Sequence, residues 1–286
     1  GALGHALRAV SCMTGRAECG GCDMQRSCRY PALFEPAPVM DERGQRRDIP
    51  APYIIEADRR MPERLEAGSA LVFDMVLFGP ALDQLPTVIM AWQRAAYSGL
   101  GPKLARCRLE QVAQVAADGQ QPVVFREDSP RVAPHDANLS VPPLPAVSSL
   151  VLMFDTPTRL QHRGKLAGAR QLTGPILLNA LARKVELYTR HYTPTSWQRP
   201  ALPATLALTA ELKRQPWQRY SSRQKRLIRL DGLVGRVEVS GDLQDWLPWF
   251  WLGQYTHVGK NTSFGLGRYR LEQQAGACLP AAALAY

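Results

Sequence analysis

The chain has 286 residues, 45% of them hydrophobic, with a net charge of +10. That is enough chain for two domains of ordinary size, each with its own core. No apolar run reaches the roughly 18 residues a membrane span needs, and Gly1-Ala2-Leu3-Gly4-His5 lacks the charged start and apolar stretch of a signal peptide, so a cytoplasmic location is expected.

Taken in order, the first element is a helix at Ala2–Cys12, followed by Cys12, Cys19, Cys22 and Cys28. Their Cys-x6-Cys-x2-Cys-x5-Cys spacing matches a closed structural zinc site on a short hairpin. An iron–sulfur cluster is the less favoured metal. A Pro- and charge-rich loop covers Glu35–Pro52. A strand at Ala70–Phe78, Gly79, a helix at Leu85–Ala96, Gly99-Leu100-Gly101 and a strand at Leu104–Glu110 come next. The proline-rich stretch Arg126–Pro145 reads as an interdomain linker.

The second half repeats the pattern. A strand at Leu150–Phe154 precedes a helix at Pro175–His191, whose apolar residues recur at near-helical spacing. After the loop Tyr192–Pro203 come a strand at Gly232–Val239, Gly241, a helix at Leu243–Tyr255, the glycine-rich loop at 257–268 and a strand ending at Glu272. Strand, helix, Gly-rich loop, strand is the second half of a βαββαβ unit. The fold class is therefore α+β, with tandem ferredoxin-like (RRM-like) domains. Residues 1–140 form the first, which lacks its initial strand in this numbering and carries the small four-cysteine metal-binding insertion at 12–28. Residues 146–275 form the second. Trp246, Trp249, Phe250 and Trp251 read as core.

Charge is unevenly shared. Residues 1–150 hold 16 Lys/Arg against 17 Asp/Glu, whereas residues 151–286 hold 19 against 8. A cationic surface confined to one half suits a polyanion, because cations beside phosphates release condensed counterions. Arg219, Arg223, Lys225, Arg226 and Arg229 share a hairpin-like stretch, and Arg183 and Lys184 lie on the helix before it. In the loop, Gly259, Gly265 and Gly267 remove side chains, so backbone N–H groups can approach an anion. Lys260 adds a charge, and Thr262 and Ser263 add hydroxyls. His257 at the loop's mouth is a candidate proton carrier. Asp242 and Asp245 are the only closely spaced acids of the basic half, which argues against a two-metal site. No Walker-type lysine pattern is present, so no nucleotide cofactor is expected.

Tyr255-Thr-His-Val-Gly-Lys-Asn-Thr-Ser-Phe-Gly-Leu-Gly-Arg-Tyr-Arg-Leu271 resembles the C-terminal glycine-rich signature of CRISPR-associated RAMP-superfamily pre-crRNA processing endoribonucleases. Gly1–Arg8, Cys28–Glu35, Asp155–Leu160 and Gly164-Lys165 resemble the same family, in the same order. The resemblance implies cleavage of CRISPR repeat RNA to guide RNAs without a catalytic metal. The 2′-OH attacks the adjacent phosphate, leaving a 2′,3′-cyclic phosphate. It also implies RNA contacts from Gly259, Lys260, Ser263, Gly265, Gly267, Arg268 and Lys165, with the basic helix and hairpin set against an RNA stem. Related nucleases often place a catalytic histidine on or just after the first helix, which makes His5 the rival of His257, with Lys260 for phosphorane charge. Expected partners are repeat RNA or crRNA, and other CRISPR-associated proteins or an effector complex. The alternatives are a non-catalytic RNA-binding subunit of such a complex and a zinc-containing scaffold.

Overall fold

The computed structural model describes residues 1–57, 64–116, 119–129, 131–135, 139–194, 197–221 and 224–272. Of these, residues up to Tyr53 and from Leu77 to 135 form one compact unit; Ile54–Val76 and residues from Leu139 to 272 form the other. The chain is α+β. No helix among the described residues is long and apolar enough to cross a membrane.

The first unit opens with helix α1 (Ala2–Ser11), which buries Leu3, Gly4, Ala6 and Leu7 along one face. Gly4 is required there, because a Cβ would run into the Phe34 ring. The short helix α2 (Arg29–Leu33) follows, and Tyr30, Phe34 and Tyr53 stack in series. Strands β1 (Val39–Met40) and β2 (Arg46–Arg47) form a small hairpin. Strands β3 (Tyr53–Ala57) and β4 (Phe73–Leu77) pair in another, whose inner residues belong to the second unit. Helix α3 (Leu85–Ser98) starts with Pro86 in its first turn, where no N–H is missed, and stops at Gly99, whose φ is 106°. It packs against α1. Strands β5 (Gln111–Ala113) and β6 (Val123–Arg126) close the unit.

The strand expected at Leu104–Glu110 does not form. Leu100 and Ala105 exchange backbone hydrogen bonds of 2.8 and 2.9 Å around a tight turn in which Leu104 has a φ of 51°. Cys107 N–H then donates to Ala96 O at 2.9 Å, tying the segment to the end of α3 rather than to a sheet.

The second unit follows the βαββαβ order. Strand β7 (Ser149–Thr158) leads through the hairpin β8 (Gln161–His162) and β9 (Lys165–Leu166) to helix α4 (Gly174–Tyr192). Strand β10 (Leu206–Gln215), the hairpin β11 (Gln218–Ser221) and β12 (Arg226–Arg229), and strand β13 (Gly232–Gly241) come next. Helix α5 (Leu247–Thr256) and strand β14 (Tyr269–Glu272) end it. The sheet is antiparallel throughout, in the order β10-β13-β7-β14. Edge strand β10 alternates between half-buried and exposed residues, as a sheet covered on one face requires. Helices α4 and α5 supply that cover. Leu177, Leu178, Leu181 and Val185 meet Leu150, Leu152 and Phe154, and Trp246, Trp249 and Phe250 complete the core. Trp251 is also buried, so all four aromatic residues are core as expected.

Candidate nucleic-acid interface

The glycine-rich loop leaves α5 at His257, which caps the helix with φ 56° and ψ 177°. Its glycines serve the loop's own packing. At Gly259 a Cβ would stand 2.6 Å from Arg159 O, at Gly265 2.5 Å from Ile55 O, and at Gly267 it would collide with Val258 O. All three have positive φ. Several of the loop's N–H groups are already used: Lys260 donates to Arg159 O, Gly265 to Thr262 O and Gly267 to Pro157 O. The glycines therefore fold the loop onto β3 and the end of β7, and the expectation that they open the backbone to an anion is corrected at Gly265 and Gly267, which are buried.

His257 lies beneath this loop, with no solvent exposure. Its Nε2 is 2.5 Å from Glu56 Oε1 and its Nδ1 is 3.1 Å from Leu266 O. Arg268 Nη1 lies 3.6 Å from Glu56 Oε2, and Arg268 N–H donates to Thr156 Oγ1 at 2.9 Å. Burial pushes the Glu56 carboxyl up, but the hydrogen bond and charge of His257 and the charge of Arg268 outweigh it, and the group stays below its ordinary value. The expected placements of His257 at the loop's mouth and of Arg268 on an RNA-facing surface are both corrected. The desolvated carboxylate of Glu56 draws its two partners, His257 and Arg268, inward.

The surface of the loop is where the expected basic residues gather. A parallel bridge joins Arg159 to Gly259, so the β8–β9 hairpin, with exposed His162, Arg163 and Lys165, springs from the segment beside exposed Lys260. Arg219 of β11 lies over the Phe264 ring at 4.0 Å, which seats the basic β11–β12 hairpin against the loop. Asp231 organises that hairpin's base: it accepts from Arg214 and Arg229 at 2.9 and 3.1 Å, while Arg159 donates to its carbonyl at 2.7 Å. The Trp217 N–H and the two arginines hold the Asp231 carboxyl below its ordinary value. Lys225 and Arg226 are exposed at the hairpin's turn; Arg223 lies outside the described residues.

Helix α4 reaches the loop through Tyr188, whose hydroxyl is hydrogen-bonded to Thr262 and is pushed by burial to about 12. Lys184 sits 5.8 Å from the Tyr188 ring centroid, and burial drives its ammonium down to about 8. Arg183, its neighbour, is exposed, and Ser263 is half-buried. His5 belongs to the other unit, on the exposed face of α1. The four clustered cysteines line one cavity of about 270 Å³ in that unit. Four sulfurs suit zinc chemically, but among the described residues no three His, Cys, Asp or Glu side chains converge closely enough to hold a metal as they stand.

Sequence reasoning missed Glu56, Arg159 and Phe264. Glu56 gave a weak signal, being an acid in an otherwise apolar strand, Tyr53-Ile54-Ile55-Glu56. Nothing local marked its partner.

Residues 152–269 match a family model described as CRISPR-associated endoribonuclease Cas6, and residues 1–137 match one described as an N-terminal domain. No curated protein sequence matches the chain. The product complex of Cas6 (TTHB231) from Thermus thermophilus is similar over 94% of this chain and 89% of that chain, at 13% identity and a TM-score of 0.51. The product complex of Cas6 (TTHA0078) matches at 24% identity over 45% of this chain, with a TM-score of 0.33, and the match spans 55% of that relative. A Cas6-RT-Cas1–Cas2 complex matches at 18% identity over 50% of this chain and 15% of its own, with a TM-score of 0.34. Over residues 152–269, the chain is similar to the CRISPR-associated endoribonuclease Cas6 family.

Proposed function

We propose that the chain is an endoribonuclease that processes CRISPR repeat RNA, gripping the sugar-phosphate backbone on the surface around residues 257–268. The observation that carries this reading is the gathering of three basic segments at one loop: the β8–β9 hairpin, the β11–β12 hairpin and Lys260 itself. Exposed cations from separate elements give a phosphate chain several simultaneous contacts, and each contributes counterion release. The βαββαβ order of the second unit supports a ferredoxin-like domain, and the tandem reading extends that to the first.

The reaction inferred is metal-independent transesterification. A base takes the proton of the 2′-OH, the 2′ oxygen attacks phosphorus, and the P–O5′ bond breaks. The departing 5′ oxygen takes a proton, and a 2′,3′-cyclic phosphate remains. A proton carrier has to reach substrate, which favours the exposed imidazole of His5 over His257, whose ring nitrogens face Glu56 and Leu266 O. Lys260 supplies positive charge toward the phosphorane. Three carboxylates of the second unit are engaged with cations, which supports a metal-free route: Asp231 with Arg214 and Arg229, Glu186 with Arg199, Asp155 with Arg270.

The test is incubation of the full chain with a repeat-hairpin RNA in EDTA. A discrete cut ending in a cyclic phosphate is expected, and His5→Ala is expected to slow it by about 10²–10⁴-fold. Binding without scission would instead support an RNA-holding subunit of a crRNA effector complex. Failure to bind would defeat both.

A further inference from the structure

Cys12 and Cys28 occupy the facing ends of two helices. Cys12 is the C-cap residue of α1 and Cys28 the N-cap residue of α2. Between them, Cys22 N–H donates to Cys19 O at 3.2 Å, so the Cys-x2-Cys pair shares one tight turn. Gln25 N–H then donates to Cys22 O at 2.9 Å, and Cys28 N–H to Met24 O at 2.8 Å, which returns the chain to α2.

All four thiols are free, half-buried and on the wall of the same cavity. Cys107, the other described cysteine, is not on that wall. The Thr14 hydroxyl lies between two of the sulfurs, 3.9 Å from Cys12 Sγ and 3.6 Å from Cys22 Sγ. Ser11, on the same wall, keeps a buried hydroxyl with no hydrogen-bond partner. Such a donor is the kind of second group that steadies a metal-bound thiolate. Within the segment Arg16 Nη1 donates to Gly21 O at 2.8 Å, and Gly15 and Gly21 have positive φ with nothing within 4 Å of a Cβ position. Arg8 reaches from α1 to the carbonyls of Arg16 and Ala17, which keeps the segment folded back over the helix.

We propose that Cys12, Cys19, Cys22 and Cys28 bind one zinc ion as a closed tetrathiolate knot that ties the C-terminus of α1 to the N-terminus of α2. Ligands that already share one cavity need only a local rearrangement to converge, and the binding free energy of the metal becomes folding free energy of the segment. No acid or histidine is on the cavity wall except Glu18, so the four sulfurs complete the coordination and leave no open position for catalysis. The knot would brace the helix that carries His5 from its far end. It stands independently of the RNA reading, because its test reads metal and not scission.

The full chain, purified without chelator, is expected to carry one zinc by elemental analysis. Cobalt substituted for zinc should give the absorption of a tetrahedral thiolate site. Cys22→Ser and Cys28→Ser should each lower zinc content to under about a tenth of wild type, while Cys107→Ser leaves it unchanged. Hydrogen exchange keeps the test decisive where a cysteine variant fails to fold: removing zinc from the wild-type chain should speed exchange in residues 2–12 and 29–33 but not in α5. Wild-type protein without zinc, or with iron and acid-labile sulfide, or with its four thiols paired as disulfides, would overturn the proposal.

Discussion

His257 Nε2 lies 2.5 Å from Glu56 Oε1, although 201 residues separate them in sequence, and both side chains are fully buried. The pair joins strand β3 to the residue that ends α5 and begins the glycine-rich loop. A carboxylate out of water is costly unless hydrogen bonds and cations offset its desolvation, and here His257 and Arg268 do so. The imidazole therefore acts on the loop's position.

Removing the carboxylate charge leaves buried Arg268 without its counter-ion. Glu56→Gln is expected to lower unfolding free energy by about 3 kcal/mol in urea titrations. His257→Ala should cost a similar amount and lose RNA scission only in proportion to the folded fraction. A His257→Ala protein of wild-type stability that no longer cuts RNA would return the proton-carrier role to this residue.

Acid should weaken the same brace. The folded Glu56 carboxyl titrates below its ordinary value of 4.5, so the unfolded chain takes up the proton first as pH falls. The stabilisation is complete above the ordinary value and is lost as pH falls through the folded one. Denaturation midpoints measured downward from neutral pH should decline in that window, and less steeply in Glu56→Gln than in wild type.

How far the sequence reveals this arrangement depends on the range of the forces involved. Helices α3 and α4 are legible from apolar spacing and first-turn prolines, and the loop from Gly259, Gly265 and Gly267. The purpose of those glycines is not legible, because the backbone they approach comes from Arg159, Ile55 and Val258, two of them distant in sequence. The segment Leu104–Glu110 looks strand-like by composition, yet its Cys107 N–H is taken by the carbonyl of Ala96. Glu56 fails for the same reason as the glycines: a lone acid in a strand announces no partner.

The loop's backbone geometry can be tested by adding one methyl group. Gly267 has a φ of 75° and a Cβ there would collide with Val258 O, whereas Gly15 has a φ of 67° with open space around it. Gly15→Ala should cost about 1–2 kcal/mol, for the left-handed conformation alone. Gly267→Ala adds a clash with backbone and should cost at least about 3 kcal/mol. Equal losses by chemical denaturation would refute the close approach at Gly267.

Lys184 offers a prediction of the opposite sign. Burial sets its folded value at about 8, below the ordinary 10.5, so the folded chain releases the proton first as pH rises. Its half-buried charge weighs on stability below about pH 8, and the burden is relieved between about 8 and 10.5. Lys184→Met, which keeps the stem against Tyr188, should raise stability near pH 7 by on the order of 1 kcal/mol. The gain should shrink by about pH 10. A gain that is the same at both pH values would mean that the ammonium is not desolvated.

On the proposed RNA-binding role, affinity should separate surface cations from buried ones. Lys165, Arg226 and Lys260 are exposed, whereas Arg268 is 4% exposed and paired with Glu56. A phosphate contact on single-stranded RNA contributes roughly 0.7 to the slope of log affinity against log salt. Replacing Lys165, Arg226 and Lys260 by alanine in turn should therefore flatten that slope by up to roughly 0.7 each, with stability unchanged. Arg268→Ala should do the reverse: it should destabilise the fold while leaving the slope of the folded fraction as it was. If the three exposed substitutions leave the slope untouched, the phosphate chain runs elsewhere, and the gathering of basic segments around Lys260 is only a solvated surface.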